Sequence, residues 1–139
     1  VQKAFAAGGF ARGIGRTLGI KGESAEQGKV VLTGSPNEDH YNPLGTVHGG
    51  CTFALADTIG GSAALTHGDS IVTVDSNIHY LAPACDTEKL VAEAKEIKYG
   101  STIAVYEVNV YKADGTMVAT STQSYFIISS KHKDKDKTG

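Results

Sequence analysis

Hydrophobic and polar positions change period once along the chain. Over residues 51–66, Phe53, Leu55, Ile59 and Leu65 stand among Ala54, Ala56, Gly60, Gly61, Ala63 and Ala64, apolar or small on nearly every side. That pattern predicts a helix, and a helix that is apolar all round is expected to be buried all round. Beyond it, residues 71–81, 89–99, 102–113 and 116–129 are rich in Val, Ile, Thr and Tyr and read as long strands. Turns are expected at Ala82-Pro83, Gly100-Ser101 and Asp114-Gly115, the last a strong hairpin signal. In the first long strand, strict alternation puts Val72, Val74, Ile78 and Tyr80 on one face and Thr73, Asp75, Asn77 and His79 on the other. A short strand over 29–33 and a loop over 34–50, marked by Ser35-Pro36-Asn37 and Asn42-Pro43, precede the helix. Long antiparallel strands following one small-faced helix predict an α+β fold with a curved antiparallel sheet wrapped around a central α-helix. Gly60 and Gly61 each cost a helix interior close to 1 kcal/mol, so they are read as places where the sheet approaches closely.

The N-terminal part is weaker in pattern. Phe5, Phe10, Ile14 and Leu18 predict a weakly amphipathic helix over residues 1–20, diluted by Gly8, Gly9, Gly13 and Gly15. The chain thus reads as a helical segment (1–27), one domain (28–130) and a charged, disordered tail (131–139). At 139 residues there is room for one core. A hydrophobic fraction of 40% and a charged fraction of 20% are those of an ordinary globular domain. Thirteen Lys and Arg against 15 Asp and Glu give a net charge of -2, which supplies no basic field for nucleic acid. No apolar run reaches the roughly 20 residues of a membrane span. Arg12 and Arg16 interrupt the N-terminal apolar positions, which argues against a secretory leader. Cys51 and Cys85 lack paired spacing, so neither a disulfide framework nor a zinc site is indicated and a reducing cytoplasm is expected.

The chemistry gathers at the predicted helix. Between Gly49 and Gly68 the one charged residue is Asp57, an expensive place for a carboxylate unless it is bonded or used. Upstream, Asn42-Pro43-Leu44-Gly45-Thr46-Val47-His48-Gly49-Gly50 runs straight into the helix. The first N–H groups of a helix lack intrahelical partners, and the dipole favours negative charge there. Gly49 and Gly50 leave those groups unobstructed, so they could polarise a carbonyl, with His48 and Asn42 orienting it. The alternative is a tight loop-to-helix turn braced by His48. Gly49 and Asp57 are separated by about 12 Å of helical rise. A base and an oxyanion donor must each lie about 3 Å from the reacting group. If the two cooperate, Asp57 meets Gly49 of another copy, which requires a dimer with two equivalent sites.

Asn42-x-x-Gly45-x-x-His48-Gly49-Gly50 followed by Asp57, then Val72-Thr73-Val74-Asp75-Ser76-Asn77-Ile78-His79-Tyr80-Leu81-Ala82-Pro83, resembles the hotdog-fold thioesterases of the phenylacetate-degradation (PaaI-type) group over residues 28–129. The resemblance implies hydrolysis of an aromatic or medium- to long-chain acyl-CoA in a homodimer or homotetramer, without cofactor or metal. It implies Asp57 as general base or nucleophile, the Gly49 N–H of the partner subunit as oxyanion donor, and Asn42 and His48 as orienting groups. Thr73 would help position the water. Gly50 and Tyr80 would line the substrate site, and Lys98, Gly100 and Ser101 would take the CoA end. Where many relatives carry a basic residue after the turn glycine, this chain has Ser101.

Other chemistries compete. Cys51 stands in the first helical turn, where a thiol is activated. His40, His48 and Asp57 could be offered as metal ligands, but lack a recognised spacing. A hotdog protein that binds acyl-CoA without hydrolysing it is the main rival in function. The isolated acid favours the enzyme over that sensor or carrier. A hydratase would bring a Pro-Gly loop ahead of the helix, which is missing.

Overall fold

The computed structural model describes residues 12–128. In chain order the elements are α1 (Ile14–Thr17), β1 (Lys21–Glu26), β2 (Lys29–Gly34), a 3-10 turn (Glu38–His40), α2 (Gly49–Leu65), β3 (Ser70–Tyr80), β4 (Leu90–Tyr99), β5 (Ile103–Lys112) and β6 (Met117–Ile128). The strands form one antiparallel sheet in the order β1-β2-β4-β5-β6-β3. The central helix α2 lies across one face of it, touching β2 to β6. This is the α+β arrangement expected.

Several expectations change. Residues 21–26, read as part of a helical segment, form β1, because Gln27-Gly28 with Gly28 at φ 79° closes a hairpin onto β2. Its polar, exposed sequence on a sheet edge carries no alternation to reveal it. Of the helix expected over 1–20, the described residues contain the four-residue α1; residues 1–11 and the tail 131–139 lie outside them. The second change concerns α2. Thr52, Leu55, Ala56, Ile59, Gly60, Ala63 and Ala64 are buried against the sheet, but Phe53, Ala54, Asp57, Thr58, Gly61 and Ser62 on the other side are half-buried. One sheet covers one side of a helix, so the apolar far side stays open in a single chain.

Small residues let the layers meet. Ala92, Ala94, Ala104 and Ala119 on the inner sheet face are fully buried beneath α2, among Val30, Leu32, Val108 and Val110. The close-approach reading holds for Gly60, where a Cβ would run into the Tyr125 hydroxyl and stand 3.1 Å from Gln123 Cβ. It does not extend to Gly61, where the nearest atoms, on Ile71 and Tyr125, lie at 3.7 and 3.8 Å.

The alternation predicted for β3 fails at Val74. Thr73 pairs with Tyr125, Asp75 with Ser124 and Ser76 with Gln123, so Val74 is the extra residue of a β-bulge. An inserted residue reverses which side chains face the core. Thr73 therefore shares the helix side with Ser76, Ile78 and Tyr80, whereas Val72 joins Asp75, Asn77 and His79 outside.

Candidate active site

Asp57 is at the middle of α2 on its open side. Its Oδ1 accepts a hydrogen bond from the Thr73 hydroxyl at 3.1 Å, which the bulge at Val74 makes possible. The Tyr125 hydroxyl arrives from beneath, donating to the Asp57 carbonyl at 2.9 Å and lying 3.3 Å from Oδ1. The second carboxylate oxygen, Oδ2, has no hydrogen-bond partner among the described residues. Burial, and next the charge of Asp57, push the Tyr125 phenol far above its ordinary range, so it stays a donor. Two cavities meet at Asp57 and Thr73. One, of about 310 Å³, includes Gly50, Phe53 and Ser76. The other, of about 320 Å³, runs over Thr58, Gly61, Leu65 and Ile71.

Asn42, His48, Gly49 and Tyr80 gather at the N-terminus of α2. His48 caps the helix, its Nδ1 accepting from the Gly50 N–H at 2.9 Å. This corrects the expectation that both glycine N–H groups stand free. The cap takes that of Gly50, while the Gly49 N–H has no acceptor among the described residues. Tyr80 lays its ring on Gly49, where a Cβ would be 3.0 Å from Cζ, and donates to the Gly49 carbonyl at 2.6 Å. The Asn42 amide braces its own loop, donating to Thr46 Oγ1 at 2.7 Å and accepting from the N–H groups of Leu44 and Thr46. Beside this end lies a cavity of about 470 Å³ that includes Asn42, Thr46, Gly49, Thr52, Tyr80 and Pro83.

Lys98, Gly100 and Ser101 sit apart, at the turn between β4 and β5. From Thr73 on β3, Lys98 on β4 is three strands away across β6 and β5, about 14 Å at ordinary strand spacing. Burial pushes the Cys51 thiol up, opposite to the shift of an activated nucleophile. Among the described residues no three His, Cys, Asp or Glu side chains group to hold a metal ion.

Tyr125 is the residue the sequence reading missed. Gly60 was a signal that something approaches α2 closely, but alternation within β6 does not say which side chain does. A buried relay beside it was equally hidden, in which Ser76 donates to Gln123 and Gln123 to Ser121.

The profile of the thioesterase superfamily matches residues 44–119, more than half of the chain and all of the stretch from the glycine loop to β6. The chain belongs to the thioesterase superfamily. As a member it is a thioester hydrolase on the hotdog fold. Among this superfamily it is similar to human acyl-coenzyme A thioesterase 13, 41% identical over 113 residues that cover 78% of this chain and 81% of that protein. It is similar in structure to the Escherichia coli PaaI protein of the phenylacetic acid degradation operon, with a TM-score of 0.83, 26% identity and coverage of 89% and 91%. A Streptococcus pneumoniae thioesterase solved with coenzyme A gives a TM-score of 0.75, 29% identity and coverage of 79% and 86%. That protein was also solved with an aspartate and, separately, a threonine sixteen positions later replaced by alanine.

Proposed function

We propose that this chain hydrolyses an aromatic or medium- to long-chain acyl-CoA as a cytoplasmic homodimer or homotetramer, with Asp57 of one copy working opposite Gly49 of another. The observation that carries this reading is the state of Asp57: one oxygen is held by Thr73, the other has no partner among the described residues, and cavities open on both sides. The acid and the Gly49 N–H stand about 12 Å apart on one helix, too far to serve one carbonyl. Two antiparallel copies of α2 would bring them together twice. The edge strand β3 supports such pairing, since among the described residues its outer edge has no neighbour and most of its residues are exposed.

In that arrangement the thioester oxygen sits on the Gly49 N–H at the positive end of α2. Asp57 takes a proton from water as it adds to the carbonyl carbon. The C–S bond then breaks, and the proton passes to the CoA sulfur. Alternatively Asp57 attacks the carbon itself, expels the thiolate and leaves an anhydride that water opens. Asn42 and His48 orient the substrate at the glycine end, His48 through Nε2, since Nδ1 is spent on the Gly50 N–H. Gly50 and Tyr80 line the site, and Lys98, Gly100 and Ser101 receive the CoA end. The Streptococcus pneumoniae thioesterase bound to coenzyme A supports the substrate class, and the spacing of its two substituted residues equals that of Asp57 and Thr73.

Thiol release from a panel of aryl- and fatty-acyl-CoAs, with affinity and oligomeric state, tests it for wild type and Asp57→Asn. A fall in turnover on the order of 100-fold or more, with binding and assembly kept, is expected. Tight binding without thiol release from any acyl-CoA in the wild type would instead make the chain a sensor or carrier.

A further inference from the structure

The geometry around Asp57 points to a second residue that sets its reactivity, and this step rests on the reading of Asp57 as base or nucleophile. We propose that Tyr125 is a positioning residue: with Thr73 it fixes Oδ1 of Asp57, so that Oδ2 is the oxygen presented to water or thioester. Tyr125 comes from β6 and is 1% exposed, yet its hydroxyl reaches the backbone of α2. It does so through the gap left by Gly60, which no other residue could occupy without colliding with that hydroxyl. Glycine is a poor helix former, and α2 carries it at the turn where the tyrosine enters.

The hydroxyl has one proton and two acceptors, both on Asp57: the carbonyl oxygen at 2.9 Å and Oδ1 at 3.3 Å. While the carboxylate is charged, the proton is shared between them. When Asp57 has taken a proton from water, Oδ1 becomes a poorer acceptor and the carbonyl keeps the bond. The buried hydroxyl is thus never left without a partner during turnover, and the acid cycles without a desolvation penalty at that atom. Thr73 reaches the same oxygen from the strand side through the bulge at Val74. Two donors from two strands on one oxygen restrict the rotation of the side chain about its final bond. Oδ2, without partner among the described residues, is left for the reaction. The tyrosine ring itself is held by packing, edge-on to Tyr106 at 6.1 Å and 62°.

Tyr125→Phe keeps that ring and removes one hydroxyl. The expected result is a kcat lower on the order of 10-fold with KM within about twofold. The acid limb of the kcat/KM profile should also move to higher pH, because the charged form of the base has lost a donor. Tyrosine fluorinated at C3, installed at position 125, is the companion: its stronger donor should move the same limb to lower pH, and it serves alone if the Phe variant does not fold. Asp57→Asn is run beside them. If Asp57→Asn is inactive while the position-125 variants show wild-type kcat and an unmoved limb, Tyr125 is packing alone and the proposal is overturned. If Asp57→Asn keeps wild-type turnover, the assignment of Asp57 has failed and the role of Tyr125 falls with it.

Discussion

Two carboxylates lie on the helix side of the sheet, each reached by a buried tyrosine and each assembled by a β-bulge, yet they end in opposite surroundings. At Asp57 the bulge at Val74 turns Thr73 inward, and one carboxylate oxygen, without a partner among the described residues, lies beside two cavities. At Glu96 the bulge at Ile97 lets Glu96 and Tyr99 share the inner face. There Oε1 accepts from His67 at 2.5 Å and from Tyr106 at 2.7 Å. The His67 ring stacks on Tyr99 at 3.6 Å, and Tyr99 donates to Asp69. The Gly28 turn closes over Oε2, with room for a Cβ of only 3.1 Å. A carboxylate with two donors on one oxygen and the backbone closed over the other ties the end of α2 to β4. One whose second oxygen faces open space is available to a substrate. Neither residue type nor donor count separates the two, since each spends two donors on one oxygen; what covers the second oxygen does, the Gly28 turn at Glu96 and open cavity at Asp57.

The widest gap between the clusters should appear in turnover. Asp57→Asn is expected to lose on the order of 100-fold in kcat, about 2.7 kcal/mol of transition-state stabilisation, with little change in Tm. Glu96→Gln should leave kcat within about threefold, since its bonds end on the fold. Steady-state kinetics on the two variants break the contrast if Glu96→Gln loses as much as Asp57→Asn. Next in size is Gly60→Ala. Its methyl group must displace Tyr125 or lift α2 from Gln123, an overpacking that costs about 1–3 kcal/mol and disturbs Asp57 as well. A denaturation midpoint equal to wild type would show that the gap at Gly60 is not needed.

The structural cluster answers in stability. Glu96→Gln weakens two charge-assisted bonds in a partly exposed site, and a loss of about 1–2 kcal/mol is expected from urea unfolding at neutral pH. Both clusters share an alkaline limit. Burial first, and then Glu96 or Asp57, raises the phenols of Tyr106 and Tyr125 above their ordinary 10.0. The folded chain therefore holds protons that the unfolded chain releases above that value. Their contribution is fully present below pH 10 and is lost as pH rises toward the raised folded values. Urea midpoints should fall above pH 10, and the slope should flatten in Tyr106→Phe. An unchanged slope there would place the titration elsewhere.

Much of this is legible in the amino-acid sequence. The apolar run of residues 51–66, the hairpin at Asp114-Gly115 and the lone Asp57 follow from residue types that tolerate few alternatives. The contents of each site followed less well, for a physical reason. Alternation assigns faces by counting, and one inserted residue at Val74 or Ile97 reverses the count without a mark in composition. Thr73 reached the site through its place in a family pattern, while strict alternation grouped it with Asp75, Asn77 and His79, which lie outside. Tyr125, Gln123 and the Glu96 cluster depend on which strands neighbour each other, a non-local fact. The strand β1 was missed because a polar edge strand has no buried face to impose a pattern.

The smallest effect tests the finest distinction, that between two adjacent glycines. Gly61 lines the cavity of about 320 Å³ on the far side of Asp57 from Gly50, and a Cβ there would meet Ile71 and Tyr125 at ordinary contact distances. Gly61→Ala should therefore raise stability by up to about 1 kcal/mol through helix propensity, the reverse of Gly60→Ala. Its methyl group also narrows that cavity. If the acyl group enters there, KM for long or bulky acyl-CoAs should rise relative to short ones while kcat for the short ones holds. A stabilised Gly61→Ala with an unaltered chain-length profile would move the acyl group to the cavities on the glycine side. A destabilised one would mean that α2 and β6 meet as tightly at Gly61 as at Gly60.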